Sequence, residues 1–175
     1  MDKPILRKLM IEKRHQYHQS DKENSNNIIF NKIKSHLEQY NDIASYYNFP
    51  DEVDTYAINS WILESGKNLY LPKVIDGSIK FIKVNSLNDV KEGFFGVNEP
   101  TGTQVVELED IQCVIVPMVA FNSDNYRLGF GKSFYDRALV GYKGFKLGIA
   151  YHFQRTRELV VDKHDIPLDI IVTDS

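Results

Sequence analysis

Apolar residues recur at helical intervals near the N-terminus and then gather into short runs. Asp2 followed by Pro4 suits a helix start, because proline's missing N–H costs nothing in a first turn. From there Ile5, Leu9 and Tyr17 fall near helical spacing and predict an inward face. Lys3, Arg7 and Arg14 share another face, within about 40° of each other at 3.6 residues per turn. Such a charge stripe ordinarily faces solvent. Ser20 and Glu23 have capping-box spacing ahead of a second helix, whose apolar side is Ile29, Ile33 and Leu37.

Further along, Ile43 to Tyr47 reads as a buried strand ended by Asn48-Phe49-Pro50-Asp51. A third helix is predicted from Asp54 to Ser65, with Ile58, Trp61 and Ile62 inward and Gly66 as its stop. Leu69 to Pro72, Ile79 to Val84, Ile111 to Val116, Lys146 to Ala150 and Ile170 to Val172 are strand candidates, and Asn85 to Gly102 reads as loop. Strands and helices alternate. That predicts an α/β fold with a largely parallel central sheet, flanked by helices in three layers. With no repeat and no shift in composition, residues 1–175 read as one domain.

Composition narrows the function classes. At 42% hydrophobic and 26% charged residues, the chain is an ordinary globular protein. Its formal charge of −3 argues against a dedicated nucleic-acid coat, which needs a basic excess, but leaves room for a local basic site. The single cysteine, Cys113, excludes an intrachain disulfide and a Cys-rich zinc site. No apolar run approaches the roughly 20 residues of a membrane span, and no apolar stretch of signal-peptide length follows the basic N-terminus. The expectation is a cytoplasmic protein with neither nucleic-acid nor membrane partners.

Chemistry concentrates after Val116-Pro117, in the segment Asn122 to Asp136. Ligands of α/β sheets bind at the carboxyl ends of strands, where this segment begins. Gly129 and Gly131 let backbone approach a ligand, Arg127 and Lys132 add positive charge, and a helix near Ser133 would aim its N–H groups at the same place. The sum describes a phosphate cradle. Gly131-Lys132-Ser133 imitates the end of a Walker A loop, but that motif needs glycine where Tyr126 stands. G-x-G-x-x-G fails as well, because its third glycine would be Phe134. A turn with an incidental lysine is the plainer alternative.

The same segment resembles the hallmark of the 5-formyltetrahydrofolate cyclo-ligase family, V-P-x-x-A-F followed by R-L-G-x-G-x-G-Y-Y-D. Here it stands as Val116-Pro117-Met118-Val119-Ala120-Phe121, then Arg127-Leu-Gly-Phe-Gly-Lys-Ser-Phe-Tyr-Asp136. The likeness extends over the basic helix from Lys3 to Arg14, Ser45 to Asp54, Leu71-Pro72-Lys73, Phe95 to Pro100, Leu147 to Ala150 and His164 to Asp169. Ser133 replaces the family's third glycine, and Phe134 its first tyrosine. Serine makes a positive φ there unfavourable.

The resemblance implies ATP-dependent ring closure of 5-formyltetrahydrofolate to 5,10-methenyltetrahydrofolate, with ADP and phosphate released through phosphorylation of the formyl oxygen. It implies Mg²⁺, ATP as co-substrate, a monomer, and a fold akin to the sugar-phosphate isomerase and CoA-transferase-like group. ATP would meet Lys3, Arg7 and the run Arg127, Leu128, Gly129, Phe130, Gly131, Lys132, Ser133, Phe134 and Tyr135. Within that run Lys132, Arg127 and Tyr135 would be catalytic. The folate would meet Tyr47, Glu52, Phe95, Phe130 and Phe134, and the metal Asp136 and Asp165. Asp51 competes with Glu52 as the folate's acid, but motif register favours Glu52. Tyr46 reads as core. The alternatives are an isomerase-like enzyme acting on a phosphorylated small molecule, which would consume no ATP, and a non-catalytic folate- or nucleotide-binding relative.

Overall fold

Cys113, Val114, Ile115 and Val116 are all fully buried, as expected of a strand covered on both faces. Numbered in chain order, this is β7 (Cys113–Val116). It pairs in parallel with β1 (Asp42–Ala44) on one side and β10 (Phe145–Ile149) on the other. Outward from β10 lies β11 (Ile170–Val172), also parallel. Outward from β1 come β2 (Asn68–Ile75), parallel, then β3 (Ser78–Val84) and β6 (Val105–Val106), both antiparallel. The result is a mixed α/β fold on a seven-stranded, mainly parallel sheet, in the order β11-β10-β7-β1-β2-β3-β6. The computed structural model describes residues 1–93 and 96–175.

Alternation along the strands sorts the core. Ile43, Leu69, Leu71, Cys113, Ile115, Leu147 and Ile149 join one cluster with Ile29, Ile33 and Leu37 of α2 (Gln19–Leu37) and Ile58 and Ile62 of α3 (Tyr56–Glu64). Ala44, Tyr70, Val114 and Val116 face the other way, toward Tyr135 of α4 (Phe134–Ala138) and Leu139. Helices therefore cover both faces. A third cluster joins α1 (Lys3–Gln16), through Leu6 and Met10, to Val119, Ala120 and Leu128 beyond the end of β7.

Several local expectations need correction. On α1 the buried residues are Leu6, Met10 and Arg14, whereas Ile5 and Leu9 are exposed. The stripe of Lys3, Arg7 and Arg14 lies on the inward side, where Lys3 and Arg7 edge a cavity and Arg14 reaches Asp51 in the interior. The Asp2 side chain forms no cap bond. Helix α2 begins at Gln19 with His18 at its cap, so Ser20 and Glu23 lie inside it and form no capping box. Strand β1 ends at Ala44, because the Tyr46 carbonyl accepts from Thr55 Oγ1 at 2.8 Å and Asn59 Nδ2 at 3.1 Å instead of from a neighbouring strand. The Asn85–Gly102 stretch holds two short strands, β4 (Val90–Glu92) and β5 (Asn98–Pro100), paired with each other. Ser133 does adopt a left-handed backbone, φ 56°, despite its side chain.

Candidate functional site

The chain runs from β1 to β2 in one direction and returns to lay β7 on the other side of β1. Sheets of this kind bind ligands where strand order reverses, beyond the carboxyl ends of the strands. A cavity of about 1,090 Å³ lies there. Ligand pockets run roughly 300–1,000 Å³, so this one has room for two sizeable molecules.

One part of its wall is the glycine loop. Strands β8 (Ala120–Phe121) and β9 (Arg127–Leu128) form a hairpin whose turn is organised by Asn122, whose Oδ1 accepts from the Asp124 and Tyr126 N–H groups at 3.0 Å each. The hairpin delivers Arg127, 6% exposed, to the cavity floor, where Nη1 donates to the Pro117 carbonyl at 3.1 Å and Nη2 lies 3.8 Å from Asp136 Oδ2. Burial lowers the Arg127 pKa, against the raising effect of Asp136. A Cβ at Gly129 would sit 2.7 Å from Arg127 Nη1, so the glycine leaves the guanidinium where the Pro117 carbonyl holds it. Gly131 adopts φ 97°, and a Cβ would come within 3.4 Å of the Arg7 guanidinium. Arg7 itself donates from Nε to the Gly129 carbonyl at 2.8 Å. Thus α1 supplies a cation that also shapes the loop.

Helix α4 spans only Phe134–Ala138, too short for the expected helix-dipole contribution to carry an anion site. The positive side of the cavity rests on Lys3, Arg7, Arg127 and the exposed Lys132. Tyr135 is 8% exposed, and its hydroxyl has no hydrogen-bond partner among the described residues; neither has Arg127 Nε. The Tyr135 ring lies under the Arg127 guanidinium at 5.4 Å. Buried polar atoms are normally paired, so these two orphans single out the cavity wall, although both are closed off from solvent and a ligand would reach them only after neighbouring side chains moved.

A second part of the wall comes from the segment after β1. Tyr46 and Tyr47 line the cavity, as does Glu52, 6% exposed. Glu52 Oε1 accepts from the Phe49 N–H at 2.8 Å. Burial pushes its carboxyl up to about 7, opposed by that hydrogen bond and by Arg14. Asp51 points elsewhere, accepting from Arg14 Nε at 3.0 Å, so the cavity holds Glu52 and not its neighbour. Phe49, which sequence reading passed over, packs edge-on against Phe130 at 5.6 Å. Tyr46 belongs to the core as expected and also faces the cavity. Glu99, 7% exposed, was also missed; it accepts from the Val74 N–H at 2.7 Å and lines the same space. Phe49 and Glu99 both lie in segments that carry the family likeness, which assigned neither of them a role.

At the rim, Lys3 Nζ reaches Asp162 at 2.7 Å and Asp165 at 2.9 Å. Asp136 Oδ1 accepts from the Ile166 N–H at 3.2 Å, which brings the tail against α4. Among the described residues no three His, Cys, Asp or Glu side chains gather where they could hold a metal ion. Of the expected site residues, all line this one cavity except Phe95, which lies outside the described residues. No described helix is long and apolar enough to cross a membrane.

The chain as a whole has counterparts among known proteins. A 5-formyltetrahydrofolate cyclo-ligase from Haemophilus influenzae is 30% identical over 167 residues, covering 90% of this chain and 86% of that one. Among solved structures, a 5,10-methenyltetrahydrofolate synthetase from Mycoplasma pneumoniae superposes with a TM-score of 0.84 at 32% identity, over 100% of both chains. The corresponding synthetase of Aquifex aeolicus gives 0.88 at 37% identity, over 99% of this chain and 90% of that one. A sequence profile of the 5-formyltetrahydrofolate cyclo-ligase family matches residues 1–174, and the chain belongs to that family.

Proposed function

We propose that this protein closes 5-formyltetrahydrofolate to 5,10-methenyltetrahydrofolate at the expense of ATP, in the cavity beyond β1 and β7. The observation that carries this is the sharing of one cavity by a buried carboxylate, Glu52, and a cationic glycine loop ending in the unpartnered Tyr135 hydroxyl. Glu52 suits the N–H donors of an aminopyrimidine edge, which a carboxylate accepts as a bidentate pair. Tyr47, Phe130 and Phe134 offer faces for the ring system, and Lys3, Arg7 and Lys132 suit a triphosphate.

An amide-like formyl oxygen is a poor leaving group. In the proposed course it attacks the γ-phosphorus and ADP departs, leaving an iminium-like carbon that carries phosphate. N10 attacks that carbon and gives up its proton, the C–O bond breaks, and phosphate leaves with the oxygen. The protein's part is to align the formyl oxygen with ATP and to balance the charge on the transferring group. Lys132 and Arg127 supply that charge, and the Tyr135 hydroxyl, unpaired among the described residues, joins them once neighbouring side chains shift to uncover it.

The donor set suits Mg²⁺ carried largely by phosphate and water, which asks the protein for only one or two carboxylates. Asp136 fills that role, with Asp165 as the second. The ion would add charge neutralisation at the phosphates. In this reading one domain and one chain supply every group, consistent with a cytoplasmic monomer. The glycine loop beside a mainly parallel sheet supports kinship with the sugar-phosphate isomerase and CoA-transferase-like group. The test is growth of the methenyl product's absorbance from 5-formyltetrahydrofolate, with and without ATP. Product without ATP, or none with it, refutes the assignment.

A further inference from the structure

Arg14 is the least exposed charged side chain among the described residues, at 2%. A buried guanidinium is costly unless its N–H groups find partners, so its place in the interior calls for a cause. Nε and Nη2 both turn to Asp51 Oδ2, at 3.0 and 2.9 Å. Nη1 donates to the Met118 carbonyl at 3.5 Å and lies 4.0 Å from Glu52 Oε2. The flat face of the group lies against Phe130, 5.6 Å from the ring centroid. One side chain from α1 thus touches the β1–α3 segment, the turn after β7 and the glycine loop.

We propose that Arg14, locked by Asp51, is a positioning residue that keeps Glu52 anionic and open to the folate's N–H donors. The idea rests on Glu52 being the folate's acid. Spacing is the heart of it. At 4.0 Å the guanidinium is close enough to favour the carboxylate's charge, yet too far to occupy Oε2 with a hydrogen bond. Oε1 is already anchored by the Phe49 N–H. Glu52 is therefore oriented at one oxygen, compensated at the other, and still holds free lone pairs. A tighter ion pair would consume the acceptor that the ligand needs.

Even beside Arg14, burial holds this carboxyl up to about 7, and without the cation it would take up its proton at higher pH still. The proton would turn an acceptor into a donor, facing another donor. The other ionisable groups near Glu52 are Asp51, beside it on the same segment, Tyr46 after β1 and Tyr135 of α4; His15 Nε2 sits 3.3 Å from Asp51. Burial holds both tyrosines neutral. Among the described residues Arg14 is the cation that acts on Glu52, and Asp51 acts against it.

The experiment is calorimetric titration of the full chain with 5-formyltetrahydrofolate, without ATP, between about pH 6 and pH 9. Affinity should fall in the parent as pH drops through about 7. Arg14→Gln should move that midpoint up by about one unit, so that binding is about fivefold weaker at pH 7 and close to the parent's at pH 9. Arg14→Lys, which keeps the charge, should recover most of the shift. Asp51→Asn removes an anion that opposes Glu52 ionisation, so its midpoint should move down. A merely structural Arg14 would not produce opposite shifts in the two variants. Glu52→Gln should bind weakly with no such pH dependence; if it keeps the parent's profile, the Glu52 assignment itself is wrong. If Glu52→Gln behaves as expected but Arg14→Gln leaves the midpoint in place, Arg14 does not act on Glu52. Should Arg14→Gln not fold, Arg14→Met, which keeps an apolar stem against Phe130, takes its place, and a midpoint that stays at the parent's overturns the proposal.

Discussion

Lys3 and Asp165, at opposite ends of the chain, hold each other: Nζ lies 2.9 Å from Oδ2, and Asp162 takes a second contact at 2.7 Å. The cation assigned here to ATP and a carboxylate assigned to its metal are therefore paired in the free protein. Incoming phosphates must join this pair or part it. Lys3→Met keeps the apolar stem and deletes the charge. The expected result is an ATP KM raised about tenfold, the scale of one lost charge-assisted hydrogen bond, with the folate KM changed less than about twofold. Initial-rate kinetics varying each substrate check this, and an unchanged ATP KM would assign Lys3 to anchoring the tail alone.

Lys132 is exposed on the glycine loop, so Lys132→Ala should leave the unfolding temperature in place. Loss of one electrostatic donor at a transferring group typically costs about 10²–10³ in turnover. Turnover at saturating ATP is the measurement, and a value near the parent's removes Lys132 from catalysis.

The Tyr135 hydroxyl is buried without a partner among the described residues. Replacing it with hydrogen gives up no internal bond and removes an unmet desolvation cost. Tyr135→Phe should therefore melt at or above the parent's temperature while turnover falls at least about tenfold. A variant that melts lower and turns over normally would place the hydroxyl in the fold instead.

Glu52 has a carboxyl raised by burial, from 4.5 to about 7. Between those values the folded protein binds more protons than the unfolded chain, so stability from this group is complete below about pH 4.5 and is lost as pH rises through 7. Glu52→Gln removes the ionisation. Its unfolding temperature should exceed the parent's at about pH 8, and the gap should close below about pH 5. Calorimetric scans at both pH values suffice; no gain at the higher pH would mean that Arg14 fully compensates the buried charge.

Asp136 accepts from the Ile166 N–H at 3.2 Å and lies 3.8 Å from Arg127 Nη2. Asp136→Asn retains an acceptor and loses the anion. A metal role predicts a Mg²⁺ requirement raised severalfold or more with little change in unfolding temperature. Magnesium titrations at fixed ATP compare the two proteins, and superimposable curves would make Asp136 structural.

The glycine loop was legible in sequence because its message is local. Two glycines, flanking cations and a preceding buried strand all fall within one short segment, and their conformations depend mainly on their own steric limits. The buried strand Cys113–Val116 and the apolar side of α2 were legible for the same reason: period and burial coincide. Glu52 was read from motif register, yet its buried, proton-prone state depends on Phe49, Arg14 and the cavity that no neighbouring residue reveals.

What sequence alone determined, then, was the alternation of elements and the gathering of glycines and cations in one loop, both written at the scale of a turn or a strand. Tertiary structure decided which side of α1 faces in. Periodicity separated the apolar residues from the basic ones there, but a helix face is inside only relative to what packs across from it. Here that is the cavity edge, Asp51 and the hairpin of β8 and β9, so Ile5 and Leu9 were left outside while Leu6, Met10 and Arg14 were buried. Ser133 shows the same priority, since its left-handed backbone is imposed by the need to turn from the loop into α4, against its own preference. The meeting of Lys3 with Asp165 required the whole fold, because only long-range packing brings the two ends of a chain within reach.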